Sequence, residues 1–437
     1  MASTGLSRTC TQGNNKTATL SVWLKRAGGF GSEQYILGFG LVAGAYTQIS
    51  FNSSDNINVY NFSGGGVLDI RSYAKRRDPA AWLHFCVAFD SSQNTESNRI
   101  KYYINGTQVT GSDLDVNYPA LNADCVFNNN GQPCTVGMNN SSSGYYNGSM
   151  AMMEWVDGLQ LDPTYFGSFD SASGIWTPTA TSTISDYGVN GFKLAMDTST
   201  PGADTSGNTN NFTVGAGTPT LTQGSPSNVF ATMNPLIPGQ TNYTYSNGNL
   251  TITQGSSAWV KSNSTIGMSS GKYYWEAKYV SGLYTVVGVD KTDTATPYPT
   301  ASSTGIGWKR NGNVEVATTP QTDIASYAHG DIVSVALDMD NACVYFGKGG
   351  VWQNSGNPTS GASKTGAYSL PSYVANTPYF ATVSPYESGA TSMNFGEGFF
   401  GTTAAGTQAD DNGQGLFAYD VPAGYYALNT KNLEAYG

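Results

Sequence analysis

Few side chains in this sequence are spaced for bond-breaking chemistry. Glu154 and Asp157, in MEWVDG, are the carboxylates that glycoside hydrolysis would draw on, because that reaction flanks a sugar with two carboxyl groups. They stand three residues apart, and on an extended chain such residues point to opposite faces. No second Glu follows in an ExDxxE spacing. The pair therefore reads as a strand ended by an Asp-Gly turn. Of the two histidines, His84 alternates with Trp82 and Cys86 in WLHFCVAF, which suits a satisfied sheet residue, and His329 sits in a turn before a strand. Neither has a Ser or Cys nucleophile motif beside it, and no Walker loop, Rossmann pattern or metal-spaced cluster occurs. The expectation is no catalytic residue, no enzyme activity, no metal and no cofactor.

Binding chemistry is better represented. Aromatic residues make up 12% of the chain, with 28 tyrosines, and tyrosine offers rigid amphipathic area that stacks on sugar faces. Tyr145, Tyr146 and Asn147 lie in a Ser/Gly/Asn loop. They read either as a glycan-facing group or as a solvated loop.

These residues must be held by strands. In GDIVSVALDMDNACVYFGKGGVW, from Gly330 to Trp352, Val333, Val335, Leu337 and Met339 alternate with Ser334, Ala336, Asp338 and Asp340. That period of two predicts a half-buried strand. Asp340 and Asn341 are expected to turn the chain, since both tolerate the left-handed conformation. Residues 17–26 alternate in the same way, and the Asn105-Gly106 pair in IKYYINGTQV signals a hairpin over 100–109. Short strands with turn clusters between them predict an all-β chain: two antiparallel β-sandwich domains joined by an irregular connector. The expected boundaries are 1–170, a connector over 171–240, a second sandwich over 241–400 and a C-terminal tail over 401–437 packed on it. Trp176, Phe192, Phe212 and Phe230 in the connector need packing partners, so it is expected to be ordered. Asn228–Leu236 is expected as the hinge.

Bulk composition narrows the class. The 437 residues allow two or three domains. Charged residues are only 11%, net charge is −10, and the one basic cluster is Lys75–Arg77, so no nucleic-acid partner is expected. No signal peptide is expected from MASTGLSRTC, and no run of 18 apolar residues suggests membrane insertion. Among the five cysteines, Cys125 and Cys134 flank VFNNNGQP. They read either as a loop-closing disulfide or as two free thiols. Cys86 and Cys343 fit strand cores.

Residues 1–170, through SVWLKR, WLHFCVAFD, IKYYINGTQV and YNGSMAMMEWVDGLQLDPTYFG, resemble the laminin-G-like, concanavalin-type jelly roll. The resemblance implies two packed sheets and, in many relatives, a sugar or protein ligand on the loops or the concave sheet. A structural calcium is compatible with that fold, but no spacing specifies one. Residues 240–400 are similar to a SPRY domain, through GKYYWEAKY, VVGV, GIGW, the Gly330–Trp352 stretch, PYFATVS and MNFG in that order. This implies partner docking at loops, where Trp308, Arg310, Trp352 and Tyr386 fall; Trp308 and Trp352 read equally well as core. The Ala342-Cys343 pair departs from the family's usual Gly with Thr or Lys. With the DTSGNTNNF connector and the VPAGYYALNTKNL tail, the whole resembles virion proteins of tailed marine bacteriophages. The implied role is a non-enzymatic tail-fibre or tail-associated structural protein in the virion, recognising host surface glycan or protein. The alternative is a head fibre or capsid-decoration protein binding other virion proteins. Abundant aromatics with few charges would suit a homo-trimer.

Overall fold

A computed structural model describes residues 4–41, 44–63, 66–179, 183–197, 200–237, 242–291, 297–321 and 323–437. The chain forms two compact units, Met1–Leu221 with Ser225–Ser227, and Thr222–Gly224 with Asn228–Gly437. Nearly all regular structure is β, as the alternation requires. The one α-helix among the described residues is α1 (Thr430–Tyr436).

Unit 1 contains β1 (Gly5–Thr9), β2 (Thr17–Arg26), β3 (Gln34–Gly40), β4 (Tyr46–Phe51), β5 (Ile57–Ser63), β6 (Gly66–Ser72), β7 (Leu83–Asp90), β8 (Ile100–Ile104) and β9 (Thr107–Val109). It continues with β10 (Leu114–Asn117), β11 (Pro133–Val136), β12 (Gly148–Asp157), β13 (Gly167–Phe169), β14 (Trp176–Pro178), β15 (Phe192–Leu194) and β16 (Thr213–Ala216). One sheet has the order β10-β6-β5-β4-β3-β11-β1-β16 and the other β15-β12-β2-β7-β8-β9. Their inner faces share one apolar core. Leu20, Val22 and Leu24 enter it from β2, Phe85, Val87 and Phe89 from β7, and Ile49 and Phe51 from β4. Trp155 lies against Phe39, Phe89 and Phe127, and its indole N–H donates to Asn128 Oδ1 at 3.0 Å. The predicted hairpin forms with Asn105 (φ 46°) and Gly106 (φ 74°) at its tip, the conformation a tight two-residue turn requires.

The second sheet is buried on both faces. Beyond β12 the chain folds back, packing Phe166 and Tyr187 over Cys86, Tyr103 and Val156. The β13-β14 hairpin lays Trp176 on the Asn105-Gly106 turn, where a Cβ on Gly106 would come within 2.2 Å of the indole.

The stretch expected as one connector, 171–240, is divided between the units. β15 pairs with β12, setting Phe192 beside Trp155, and β16 pairs with β1. Asp204 gathers the polar piece after it, accepting from the backbone N–H groups of Lys193, Ser206 and Asn210. The Asn228–Leu236 run is no hinge but part of unit 2, with Phe230 and Met233 buried and Ala231 N–H donating to Leu428 O at 2.9 Å. Its aromatic and apolar side chains need cores, and each island finds one. Three- and four-residue strands are too short to display a period.

Unit 2 contains β17 (Tyr243–Ser246), β18 (Thr251–Gln254), β19 (Ser262–Met268), β20 (Lys272–Ser281), β21 (Tyr284–Asp290), β22 (Ile306–Lys309), β23 (Val314–Val316), β24 (Thr319–Pro320) and β25 (Ile332–Asp338). Then come β26 (Cys343–Lys348), β27 (Val351–Trp352), β28 (Tyr368–Ser369), β29 (Tyr379–Tyr386), β30 (Ala390–Asn394), the short hairpin β31 (Phe399–Phe400) and β32 (Thr403–Ala404), and β33 (Tyr426–Ala427). One sheet runs β17-β18-β30-β20-β25-β26-β27, with β28 on β26 and β33 on β20; the other runs β19-β29-β21-β22-β23-β24. Val333, Val335, Leu337 and Met339 all enter the shared core, as their alternation predicts.

Two details of that stretch differ from expectation. The left-handed residue after β25 is Ala342 (φ 53°). Asp338 accepts from the backbone and side-chain N–H groups of Asn341, which fixes the turn by side-chain bonding. The other face of β25 is also buried, because Phe230, Phe417, Tyr425 and Ala427 cover Tyr274, Ala336 and Tyr345. Glu276 ties this cover down. It accepts from Tyr274 Oη (3.0 Å), Asn394 Nδ2 (3.2 Å) and the backbone N–H groups of Ala418 (3.0 Å) and Tyr419 (2.9 Å). Asp410 does the same for the last turn, accepting from Ala427 N and Asn432 Nδ2.

Candidate functional site: an open sheet face of the first unit

The residues with catalytic potential are held in structural roles. Glu154 accepts from Tyr187 Oη (2.5 Å) and lies 3.3 Å from Lys193 Nζ. Asp157 accepts from the backbone N–H groups of Asn14 (2.9 Å) and Asn190 (3.0 Å) and from Asn128 Nδ2 (2.8 Å). Burial holds the Asp157 carboxyl above the usual range despite these donors.

His84 is fully buried between Trp23 and Trp176. The Trp176 indole N–H donates to Nδ1 at 3.0 Å, so the imidazole proton sits on Nε2 and is donated to Ser21 Oγ at 2.8 Å. Serine thus accepts from the histidine, the reverse of what nucleophile activation needs. Burial carries the His84 pKa down to about 3. Nitrogen-detected NMR is expected to show one neutral Nε2-H tautomer from pH 8 to about 5, and a midpoint near 6.5 would contradict this packing. His329 instead makes a 2.8 Å hydrogen bond with Gly282 O. All five cysteines are free and buried. The thiol that hydrogen-bonds Cys134 belongs to Cys10, so Cys125 and Cys134 are free thiols rather than a disulfide. Among the described residues no group of three or more His, Cys, Asp or Glu side chains could hold a metal ion, and no helix is long and apolar enough to cross a membrane.

The expected binding residues separate. Tyr146 is buried, stacked on Phe51 at 6.2 Å, and Asn147 N–H donates to Gln34 Oε1 at 3.0 Å. Of that trio Tyr145 stays in the loop as a part-exposed ring. Trp308 is fully buried against Tyr327 and Phe346, so it is a core residue and cannot meet a partner. Trp352 is half-buried, edge-on to Tyr274 at 6.3 Å. Arg310 and Tyr386 are brought together. Arg310 lies 5.3 Å over Tyr284, whose register partner is Tyr386, and Tyr386 stacks on Trp259 at 4.5 Å. Tyr298 joins Trp259 at 5.3 Å. Trp259, Tyr284 and Tyr298 are not legible as a group in the sequence, because they come from three separate segments.

A larger group was missed in unit 1. Ile49, Phe51, Ile57, Val59 and Ile70 point into the core, so the residues between them point outward. The registers align Asn117, Asp69, Tyr60, Gln48, Gly38 and Thr135 in one row across β10, β6, β5, β4, β3 and β11. Asp115, Arg71, Asn58, Ser50 and Tyr35 form the next row, and Tyr46 faces Phe62 beyond. Among the described residues no segment seals the middle of this face: Tyr46, Gln48, Asn58, Tyr60, Phe62, Asp69 and Arg71 are all part-exposed. The ring of Tyr46 contacts those of Tyr60 (5.8 Å) and Phe62 (5.9 Å). The 139–146 loop borders the face, with Asn140 accepting from Thr135 Oγ1 and Gly144 over the ring of Tyr35. Ser50 Oγ, Asn58 Oδ1 and Asp69 Oδ1 are buried yet meet no hydrogen-bond partner among the described residues. Such atoms are uncommon and mark strain or a missing partner. The alternation of β4 and β5, with Tyr at the outward positions, is the signal that would have found the face.

Residues 3–159 match the family model of the concanavalin A-like lectin/glucanases superfamily, of the laminin G type. Unit 1 therefore carries a concanavalin A-like jelly roll. No curated protein matches the chain. Among solved structures it is similar to the SPRY domain of human HERC1, with 20% identity, 37% of this chain and 96% of that one covered, and a TM-score of 0.30. It is also similar to the TRIM65 PSpry domain (13% identity, 38% and 91% covered, TM-score 0.28). A third is domain 4 of AbnA, a GH43 extracellular arabinanase from Geobacillus stearothermophilus, in complex with arabinotriose (17% identity, 37% and 69% covered, TM-score 0.29).

Proposed function

We propose that this protein is a non-enzymatic recognition protein whose first unit binds glycan on its open sheet face, displayed on a virion as a tail-fibre or tail-associated component. One observation carries the binding reading. Where the outer face of the other sheet is sealed, this one presents three touching aromatic rings beside polar groups that meet no partner. A sugar supplies what is missing: C–H faces for the rings and hydroxyl donors for the acceptors. The virion assignment is supported by the resemblance of the ordered sequence segments. The Arg310–Tyr284–Tyr386–Trp259 group favours a second reading, because aromatic residues and arginine are enriched where proteins dock. In that reading unit 2 grips other virion subunits, as in a head fibre or decoration protein.

On a glycan array the full-length chain should give saturable binding. Replacing both Tyr46 and Tyr60 by Ala should weaken it at least about fivefold, since each ring contact contributes about 0.5–1.5 kcal/mol. Unchanged binding in that variant would move the site elsewhere. Binding only to particles depleted of this protein would leave the decoration reading.

A further inference from the structure

We infer that the open face of unit 1 selects saccharides bearing free amino groups over acetylated, neutral or acidic ones, with Asp69 as the specificity-determining residue. This rests on the proposed glycan-binding reading. The charges that the registers and the bordering loop place here are Glu33, Asp69, Asp115 and Arg71; three carboxylates against one guanidinium leave two negative charges. Arg71 is committed to Asp115, with Nε and Nη2 at 3.0 and 2.5 Å from Oδ2. Glu33 accepts only from neutral donors, Tyr35 Oη (3.1 Å) and Gln48 Nε2 (3.3 Å). Its charge is therefore not paired, and that of Asp69 is offset only in part, by Arg71.

The unmet hydrogen-bonding capacity has the same sense. Asn58 Oδ1 and Asp69 Oδ1, on part-exposed side chains, can only accept. A ligand that satisfies them must bring donors. An ammonium brings three donors and a positive charge on one atom. An acetamide brings one donor and no charge, and a carboxylate or sulfate brings acceptors and the wrong charge. The rings add to this preference, because tyrosine and phenylalanine faces attract cations. Asp69 stands directly across from Tyr60 on the neighbouring strand. Adjacent strands are about 4.8 Å apart, so a sugar ring stacked on Tyr60 holds a substituent over the Asp69 carboxylate. Burial raises the Asp69 pKa, partly offset by Arg71. That is the state of a carboxylate lacking a close cation, which the ligand's ammonium would supply.

The test is titration of the full-length chain, in about 0.15 M salt to screen loose attraction, with four oligosaccharides of equal length: glucosamine, N-acetylglucosamine, glucose and uronic acid oligomers. The glucosamine oligomer is expected to bind at least about tenfold tighter than the others. Asp69→Asn, nearly isosteric, should abolish that preference while circular dichroism stays native. Asp124→Asn removes the same charge from an exposed position (73% accessible) outside these rows and should leave the preference intact. Equal binding of the acetylated or neutral oligomer would overturn the inference and leave glycan recognition standing. So would a preference that survives Asp69→Asn, or one lost equally in Asp124→Asn. Failure of all four oligomers to bind would overturn both.

Discussion

Lys261→Ala is expected to destabilise unit 2 by about 3–5 kcal/mol, the range for breaking a buried ion pair by removing one partner. Lys261 and Asp290 are both fully buried, with Nζ 2.7 Å from Oδ2. Asp290 also accepts from Ser302 Oγ (2.9 Å) and Thr304 Oγ1 (2.6 Å). Alanine leaves that carboxylate its hydroxyl donors but removes the Lys261 charge from a low-dielectric site. The cost lies in the stranded charge more than in the lost attraction. The double variant Lys261→Met with Asp290→Asn should therefore recover more than half the loss, since it removes both charges and keeps an acceptor for the two hydroxyls. Urea unfolding followed by tryptophan fluorescence separates these outcomes, provided the transition of each unit is fitted by itself. A loss below about 1 kcal/mol in Lys261→Ala, the size typical of exposed pairs, would show that water reaches the pair.

Glu276→Ala should cost about 2–4 kcal/mol, because it takes the acceptor from two backbone N–H groups on part-buried residues, at roughly 1–3 kcal/mol each when fully desolvated. Those groups belong to Ala418 and Tyr419, so the loss has a location. The covering segment should loosen from β20 and β25, and limited proteolysis should cut within 401–420 before any global unfolding. The same carboxylate predicts a pH trend. Burial, the largest influence, raises its pKa above the ordinary 4.5, and the four donors oppose but do not cancel it. A folded pKa above the unfolded one means that the fold favours the protonated form. The contribution is full at acid pH and is lost as pH rises through the folded value. Glu276→Gln mimics the protonated form and lacks this loss. Relative to that variant, wild type should therefore lose stability as pH rises from the ordinary carboxylate value of 4.5 through the raised folded one. A difference between the two that does not vary with pH would mean that the donors outweigh burial.

What the sequence conveyed depended on how long each pattern ran. β2, the β8-β9 hairpin and the β25-β26-β27 meander are legible because alternation over five or more residues, or an Asn-Gly pair, has one structural meaning. β13–β16 are not, being three or four residues long. The both-sided burial of β2, β7 and β25 was hidden for another reason. Ser334 and Asp338 fall on the face that a half-buried strand leaves to solvent, and they, like Ser21 and His84, are buried by segments far along the chain. Burial of Tyr146 and Trp308 likewise depends on what lies across from them. The open face was readable in principle, since Tyr46, Gln48, Asn58, Tyr60 and Phe62 fall at outward positions of β4 and β5. Only the registers show that they, Asp69 and Arg71 form one surface.

The pairing of β1 with β16 also bears on how the chain is made. Gly5 lies against Ala216, 211 positions later, and Ala231 in unit 2 is bonded to Leu428. Translation at about 5–20 residues per second takes on the order of 10–40 s to cross either gap. For that time a nascent chain carries one bare strand edge, the kind of surface that pairs with other copies. High contact order slows the closing step further. A chain stopped before Thr213 can pair β1 with β11 but never covers its other edge, and it is in that form that this protein should most engage chaperones and proteases.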